Sequence, residues 1–428
     1  MPSGKLYTLL TLLLCLVCIG VRGAVDLSQL VQTPEKLWQT NAGELLKQNK
    51  NALHWMDAEK STIYCPAKSL KTFTWQNSPV YDLHFMLRKQ KVAAMSVVIY
   101  AKGDVGKEKL EKEDFLKLLK RLSGEIAGKF NKVLCEKRQV KIGGTKAWVW
   151  SWKNKKMTAR IKYAINDKGV PEFLTLEFLA PGYELGGASR SSMRSSGSSG
   201  DVRRRIRRDK NGDCYLIVPM VDQGSKGYCV PATLERVLTY YGIRIEQSTL
   251  AQMIGADAAK GTSLAKTIIK LRDIDGRLGL TYAPRGTFED LGDPRRVNRM
   301  LNRYNRLARR QKKQTVKPGK DWLKHIDYQV FKELRGDRGA DAFFDRIKAD
   351  IDRGIPIFWA VIMFPADKTA GKQKEPGYHL RLITGYNAES RKVIFSDSWG
   401  QGNEKKVLPL ADAWTITRGT FVMTMRNR

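Results

Sequence analysis

Apolar side chains recur at three- and four-residue spacing in only a few stretches of this chain, the clearest being residues 113–130, 230–241 and 294–313. In the first, Phe115, Leu118, Leu119, Leu122, Ile126 and Phe130 fall on one face of a predicted helix. In the second, Leu234, Val237, Leu238 and Tyr241 do so, with Pro231 suited to a first turn and Gly242 ending the run. Residues 81–88, 93–100, 139–142, 146–152, 157–165 and 172–179 alternate or run apolar as strands do, broken by Gly143-Gly144 and by Asn166-Asp167-Lys168-Gly169. Trp148, Trp150 and Trp152 share one face of their strand, a stripe expected to form core against the first helix rather than a sugar platform. Residues 25 to about 60 read as mostly helical and polar. In the second half, predicted helices at 250–254, 263–271, 294–313 and 342–353 precede predicted strands at 357–362, 379–385, 392–396 and near 420–425. Helices first and an antiparallel sheet afterwards predict a two-layer α+β domain, preceded by a separate, smaller α+β domain.

The length of 428 residues accommodates two or three domains with full cores. The N-terminus carries Lys5, an apolar run from Leu9 to Ile19, and small residues at Val21 and Gly23, which predict a signal peptide over residues 1–23 cut before Ala24. That run is short for a bilayer span, so export is expected to a secreted or periplasmic location, with an uncleaved anchor as the alternative and no membrane span in the mature chain. Residues 24–183 then form the first α+β domain, residues 184–210 a linker, and residues 211–428 the second domain. The linker is rich in Ser and Gly up to Gly200 and continues into Arg203, Arg204, Arg205, Ile206, Arg207 and Arg208, which predicts an exposed, mobile segment that a protease could cut.

Lys and Arg exceed Asp and Glu by 76 − 43 = 33, a balance that favours anionic partners. The densest basic element runs from Pro294 to Lys313, where Arg295, Arg296, Arg299, Arg303, Arg306, Arg309, Arg310, Lys312 and Lys313 surround an apolar stripe of Val297, Met300, Leu301, Tyr304 and Leu307. It reads as a solvated helix face or a dock for an anionic surface or polymer. Aromatic platforms and nucleic-acid-binding motifs are absent from the sequence, which argues against nucleic acid.

The chemistry concentrates in three segments: Asp222-Gln223-Gly224 with Cys229 following, Gly377-Tyr378-His379, and Asp397-Ser398-Trp399-Gly400. A thiol becomes a nucleophile when a base holds its proton, and the oxyanion formed by its attack needs a donor. Cys229 at a helix start is the candidate nucleophile, since unpaired N–H groups and the positive dipole end favour a thiolate there. His379 is the candidate base, Asp397 orients its imidazole, and the Gln223 amide with the Cys229 N–H is the candidate oxyanion donor. His325 lacks an adjoining strand and reads as a partly exposed structural histidine.

From about Cys214 to Arg428 this arrangement resembles the papain-like cysteine peptidase superfamily. The shared features are Asp-Gln-Gly, a cysteine opening a helix six residues after the glutamine, a histidine strand ending in Gly385-Tyr386, and Trp399-Gly400 after the third member. Asp397 stands where the family has Asn, and Lys226, Tyr228 and Val230 also depart from its pattern. The acidic third member and Cys229-Val230-Pro231-Ala232 look more like the bacterial branch that includes the double-glycine leader peptidases. The resemblance implies hydrolysis of a peptide or protein substrate without a cofactor. An acyl transferase of transglutaminase type is the enzymatic alternative, and a non-catalytic basic surface-binding protein the other.

The remaining cysteines leave one pairing open, Cys65 with Cys135, and Cys214 reads as a buried free thiol. Asp209-Lys210-Asn211-Gly212-Asp213 begins like a calcium loop but lacks the sixth-position glycine and the closing glutamate, so no metal site is expected.

Overall fold

The computed structural model describes residues 24–57, 59–105, 109–130, 133–142, 145–185, 204–224, 227–256, 269–273, 275–286, 293–319, 321–365 and 375–426. The expected signal peptide, the Ser/Gly-rich part of the linker, Ser225-Lys226 and most of the helix expected at 263–271 lie outside them. The chain divides into two compact units, Met1–Lys141 with Lys146–Leu185, and Ile142–Thr145 with Gly186–Arg428. The whole is a mixed α+β structure with large antiparallel sheets.

In the first unit the expected strands are found, with ends that differ by up to three residues, as antiparallel neighbours in an eight-stranded sheet. Its helix, Lys112–Lys129, buries Phe115, Leu119, Leu122 and Ile126. Residues 25–60 hold less helix than expected: the short helices Pro34–Gln39 and Ala42–Gln48 sit among short strands. The tryptophan stripe is graded. Trp152 is buried, Trp150 packs edge-on against Tyr163 at 5.6 Å, and Trp148 is 39% exposed, so the expectation of core fails at that end of the strand. Cys65 and Cys135 are both free thiols.

The second unit is built on a sheet with spatial order β1-β2-β5-β4-β8-β3. These strands are β1 (Ile206–Arg208), β2 (Asp213–Leu216), β3 (Leu280–Pro284), β4 (Ile357–Met363), β5 (Gly377–Asn387) and β8 (Thr417–Met425). Two more, β6 (Lys392–Ser396) and β7 (Lys406–Pro409), extend the far edge of β5. β4 is buried at every residue, as its unbroken apolar run requires of a central strand. Phe358 of β4 stacks on Phe421 of β8 at 4.5 Å, and Trp359 Nε1 donates to Thr417 Oγ1 at 2.8 Å. β5 must pass close to β2. A Cβ on Gly385 would stand 2.8 Å from Tyr215 Cα and run into the Cys214 carbonyl, so the glycine of Gly385-Tyr386 is fixed by close approach of two backbones.

The linker expectation needs correction at its C-terminal end. Arg207 and Arg208 lie on β1, which pairs with Cys214 and Tyr215 of β2. Arg208 also bridges Asp352 at 2.8 Å, and Arg205 lies over the Tyr240 ring. These arginines therefore belong to the second unit rather than to a mobile tether. A short edge strand with outward side chains carries no apolar alternation, and it is held by backbone hydrogen bonds that leave no mark in the sequence.

Helices α1 (Cys229–Tyr240) and α2 (Gln247–Ile254) pack against each other. The basic helix is α3 (Pro294–Arg310), followed by α4 (Tyr328–Arg335), α5 (Ala340–Ile351) and α6 (Leu410–Ile416). Asp293 caps α3 by accepting from the Arg295 N–H at 2.9 Å, and Leu301, Tyr304 and Ala308 bury its inner face. Its arginines are all exposed. No helix among the described residues is long and apolar enough to cross a membrane.

Candidate active site

Helix α1 is buried around nearly its whole circumference, so its polar side chains need internal partners. Glu235 accepts from the Gln247 N–H at 2.8 Å, and Arg236 donates to the Pro219 carbonyl at 2.8 Å and to Ser396 Oγ. The helix stops at Gly242, whose φ of +81° allows Ile243 N to reach back to Leu238 O at 2.8 Å and Gly242 N to Thr239 O at 2.9 Å. Its other end opens at Cys229, as predicted, and Thr233 Oγ1 contacts the Leu380 carbonyl of β5 at 3.4 Å. This contact ties the thiol helix to the histidine strand.

His379 and Arg381 alternate with Leu380 on β5 and so point to the same face. His379 Nε2 lies 2.8 Å from Asp397 Oδ1, with both side chains buried. The other ring nitrogen is left for Cys229, with which His379 is hydrogen bonded. Burial alone would lower the imidazole's pKa. The hydrogen bonds to Asp397 and Cys229 and the charges of both override it and raise the value to about 9. Burial likewise opposes ionisation of the thiol, but the hydrogen bond and charge of His379, with backbone bonds at Leu380 and Val230, hold Cys229 below the usual thiol range. Cys214 and Cys135 shift the opposite way, because burial dominates there. His325 sits exposed at the end of the short helix Trp322–His325.

Asp397 follows β6 and is fully buried. Burial would keep its carboxyl neutral, but the charge of Arg381, then His379 and Lys406, holds it ionised well below the usual carboxylate range. Its turn is pinned from both sides. Asp397 N donates to the Asn403 carbonyl at 3.0 Å, and Asn403 Nδ2 reaches the carbonyls of Trp399 and Gly400 at 3.2 Å each. Trp399 stacks on the His379 ring with centroids 5.0 Å apart, covering the His–Asp hydrogen bond. Gly400 has φ +77°, and a Cβ there would stand 2.7 Å from Asp222 Oδ2, so Trp-Gly and Asp-Gln-Gly are parts of one packed junction.

The Asp222-Gln223-Gly224 loop is held to that junction by backbone and side chain. Gln223 N donates to the Ser398 carbonyl at 2.8 Å, and Ser398 Oγ donates to Gln223 Oε1 at 2.6 Å. The second bond engages the carbonyl side of the Gln223 amide, which fixes its NH2 as the donor side. Asp222 Oδ1 accepts from the Gly224 N–H at 2.9 Å, and Gln247 Nε2 donates to the Asp222 carbonyl at 3.0 Å. All four residues singled out from the sequence thus lie in this unit: His379 and Asp397 are directly bonded, Cys229 is bonded to His379, and Gln223 is tied to the Asp397 turn through Ser398.

The sequence reading missed Arg381, Lys406, Ser398 and Asn403. One signal was available for Arg381, which is a charge inside the apolar run Leu380-Arg381-Leu382-Ile383 and so had to find a buried partner. No curated protein matches the chain. Residues 215–421 match the Peptidase C39 like family, which relates this part of the chain to the papain-like cysteine peptidases in their double-glycine-peptidase-like branch.

Proposed function

We propose that the protein is an exported cysteine peptidase with a papain-like, two-layer catalytic domain, in which Cys229, His379 and Asp397 form the triad and Gln223 supplies the oxyanion donor. The observation that carries it is the buried 2.8 Å His379–Asp397 bond with the thiol of Cys229 on the imidazole's other side. The Cys229 thiolate adds to a peptide carbonyl, and the oxyanion takes hydrogen bonds from the Gln223 NH2 and the Cys229 N–H. The imidazolium of His379 gives its proton to the departing amine, leaving a thioester. His379 then accepts a proton from water as the hydroxyl adds to the thioester, the carboxylic acid leaves, and thiolate and imidazolium are restored.

Incubating the purified protein with a mixture of peptides in 18O-labelled water, with mass-spectrometric readout, tests this. Hydrolysis puts one 18O into each new carboxyl group, transfer of transglutaminase type gives an amide instead, and a non-catalytic binding protein gives neither. Cys229→Ala should abolish turnover and Cys214→Ala retain it. The inverse result would contradict the assignment.

The exposed arginines of α3 support a docking role on an anionic surface. Co-sedimentation with vesicles containing anionic lipid should fall with rising salt and with Arg299, Arg303 and Arg306 changed to Gln. Binding unaffected by either change would contradict it. The first unit is proposed to serve as a pro-region, a binding module or a surface anchor, and proteolysis upstream of β1 with an activity readout separates the first from the other two. The export proposal requires a mature protein that starts at Ala24.

A further inference from the structure

Asp397 is a charged third member where papain itself has a neutral amide, and charged groups surround it. Arg381 Nε donates to Asp397 Oδ1 at 3.3 Å, on the oxygen that also faces His379, and neither the arginine nor the aspartate side chain has any exposure. The guanidinium also lies over the Phe395 ring at 4.7 Å. From the other side Lys406 Nζ reaches Asp397 Oδ2 at 3.2 Å while lying over the Trp399 ring at 4.7 Å. Among the described residues, the charged groups packed around the carboxylate are His379 and Arg381 from β5 and Lys406 from β7. Arg236 of α1 stands next to it on Ser396, and the Cys229 thiol lies beyond the imidazole. A lone buried aspartate would pull the imidazole's proton hard toward itself. One clamped by a buried arginine keeps its ionised form and its direction while much of its field on the imidazole is offset.

Resting on the peptidase reading above, we infer that Arg381 is a positioning residue of the site, with Lys406 its partner on the solvent side. Together they hold Asp397 charged and aimed at His379, and they set how strongly the carboxylate acts on the thiol–imidazole pair. Removing a positive charge favours the protonated form of every neighbour. The thiolate loses support and the imidazolium loses repulsion, so both limbs of the pH profile should move to higher pH.

The test is the rate of Cys229 alkylation by iodoacetamide as a function of pH on the full chain, read by peptide mass spectrometry, which needs no peptide substrate. Wild type should react well below the range of an ordinary thiol and show a second step near His379 deprotonation. Arg381→Gln should shift both steps upward by about 1 pH unit. Lys406→Gln, at a partly exposed position, should shift them less in the same direction, and Arg381→Lys should restore the wild-type profile. Lys405→Gln removes a neighbouring charge that pairs with Asp209 and Asp213 instead, and it should leave the profile unchanged. Unchanged profiles in folded Arg381→Gln and in Lys406→Gln would overturn the clamp and leave the peptidase reading standing. An ordinary single thiol titration in wild type would overturn both. If Arg381→Gln does not fold, the Lys406→Gln and Arg381→Lys profiles decide.

Discussion

Replacing Asp397 by Asn would look mild in a papain-like site, where an amide ordinarily holds the histidine, and the surroundings of Asp397 predict otherwise. The carboxylate and the Arg381 guanidinium form an ion pair with both side chains at 0% exposure. Asn can still accept the imidazole N–H, but it removes the charge that Asp397 sets against the buried guanidinium. Breaking a buried pair by removing one partner costs about 3–5 kcal/mol. For a unit of this size each kcal/mol moves the midpoint by roughly 2–4 °C, so Asp397→Asn should melt about 6–20 °C below wild type at pH 7. The pH dependence follows from linkage. Asp397's pKa is lowered on folding, so its contribution is fully present above the unfolded value, near 3.9, and is lost as pH falls below that toward the folded one. The gap between wild type and Asn should therefore hold from pH 7 to about 5 and shrink below about 4. Differential scanning calorimetry across that range is the assay, with Asp397→Asn/Arg381→Leu as the companion. Replacing both members of the pair takes away the buried guanidinium together with its opposing charge, so the double variant should recover at least half of the loss. A melt of Asp397→Asn within about 2 °C of wild type, or a double variant less stable than the single, would refute this account.

Gln223→Ala should lower kcat roughly 100- to 1000-fold by removing the oxyanion donor, while Ser398→Ala, which only frees the amide to turn, should cost less; equal losses on a peptide substrate would contradict that ranking. Gly385→Ala drives a methyl into the Cys214–Tyr215 backbone and should destabilise the protein by about 1–3 kcal/mol in a urea titration, so an unchanged midpoint would refute the close-approach argument. Hydrolysis should fall as pH rises through about 9, where His379 loses the proton that the departing amine needs; a rate still climbing beyond that point would show another acid at work.

Where apolar side chains do the folding, the elements were legible in the sequence. Leu234, Val237 and Leu238 predict α1 because their spacing matches the helix they build, and β6 has the predicted limits because a buried strand bounded by Lys and Asp advertises its ends. The edge strands β1, β3 and β7, and β2 beside β1, were not predicted. They are short, and their strongest bonds are between backbones, so Arg207 and Arg208 read as linker. Trp148 misled because period two gives the face of a strand and not how far along it the core extends. That Cys229, His379, Asp397 and Gln223 lie close together was legible through their spacing. The bonds of Arg381 and Lys406 to Asp397 span 16 and 9 positions, and although a charge in an apolar run marks Arg381 as buried, no local pattern names its partner.

The central claim is that Cys229 is the ionised nucleophile, and the most direct measurement is the location of the adduct left by a substoichiometric electrophilic peptide at pH 6. His379 holds the Cys229 thiol below its ordinary pKa, whereas burial raises those of Cys214 and Cys135. Mass spectrometry should find the adduct on Cys229, with peptide hydrolysis lost in proportion to labelling. Labelling of Cys214 or Cys135 at a comparable rate, or hydrolysis that survives full modification of Cys229, would contradict the account.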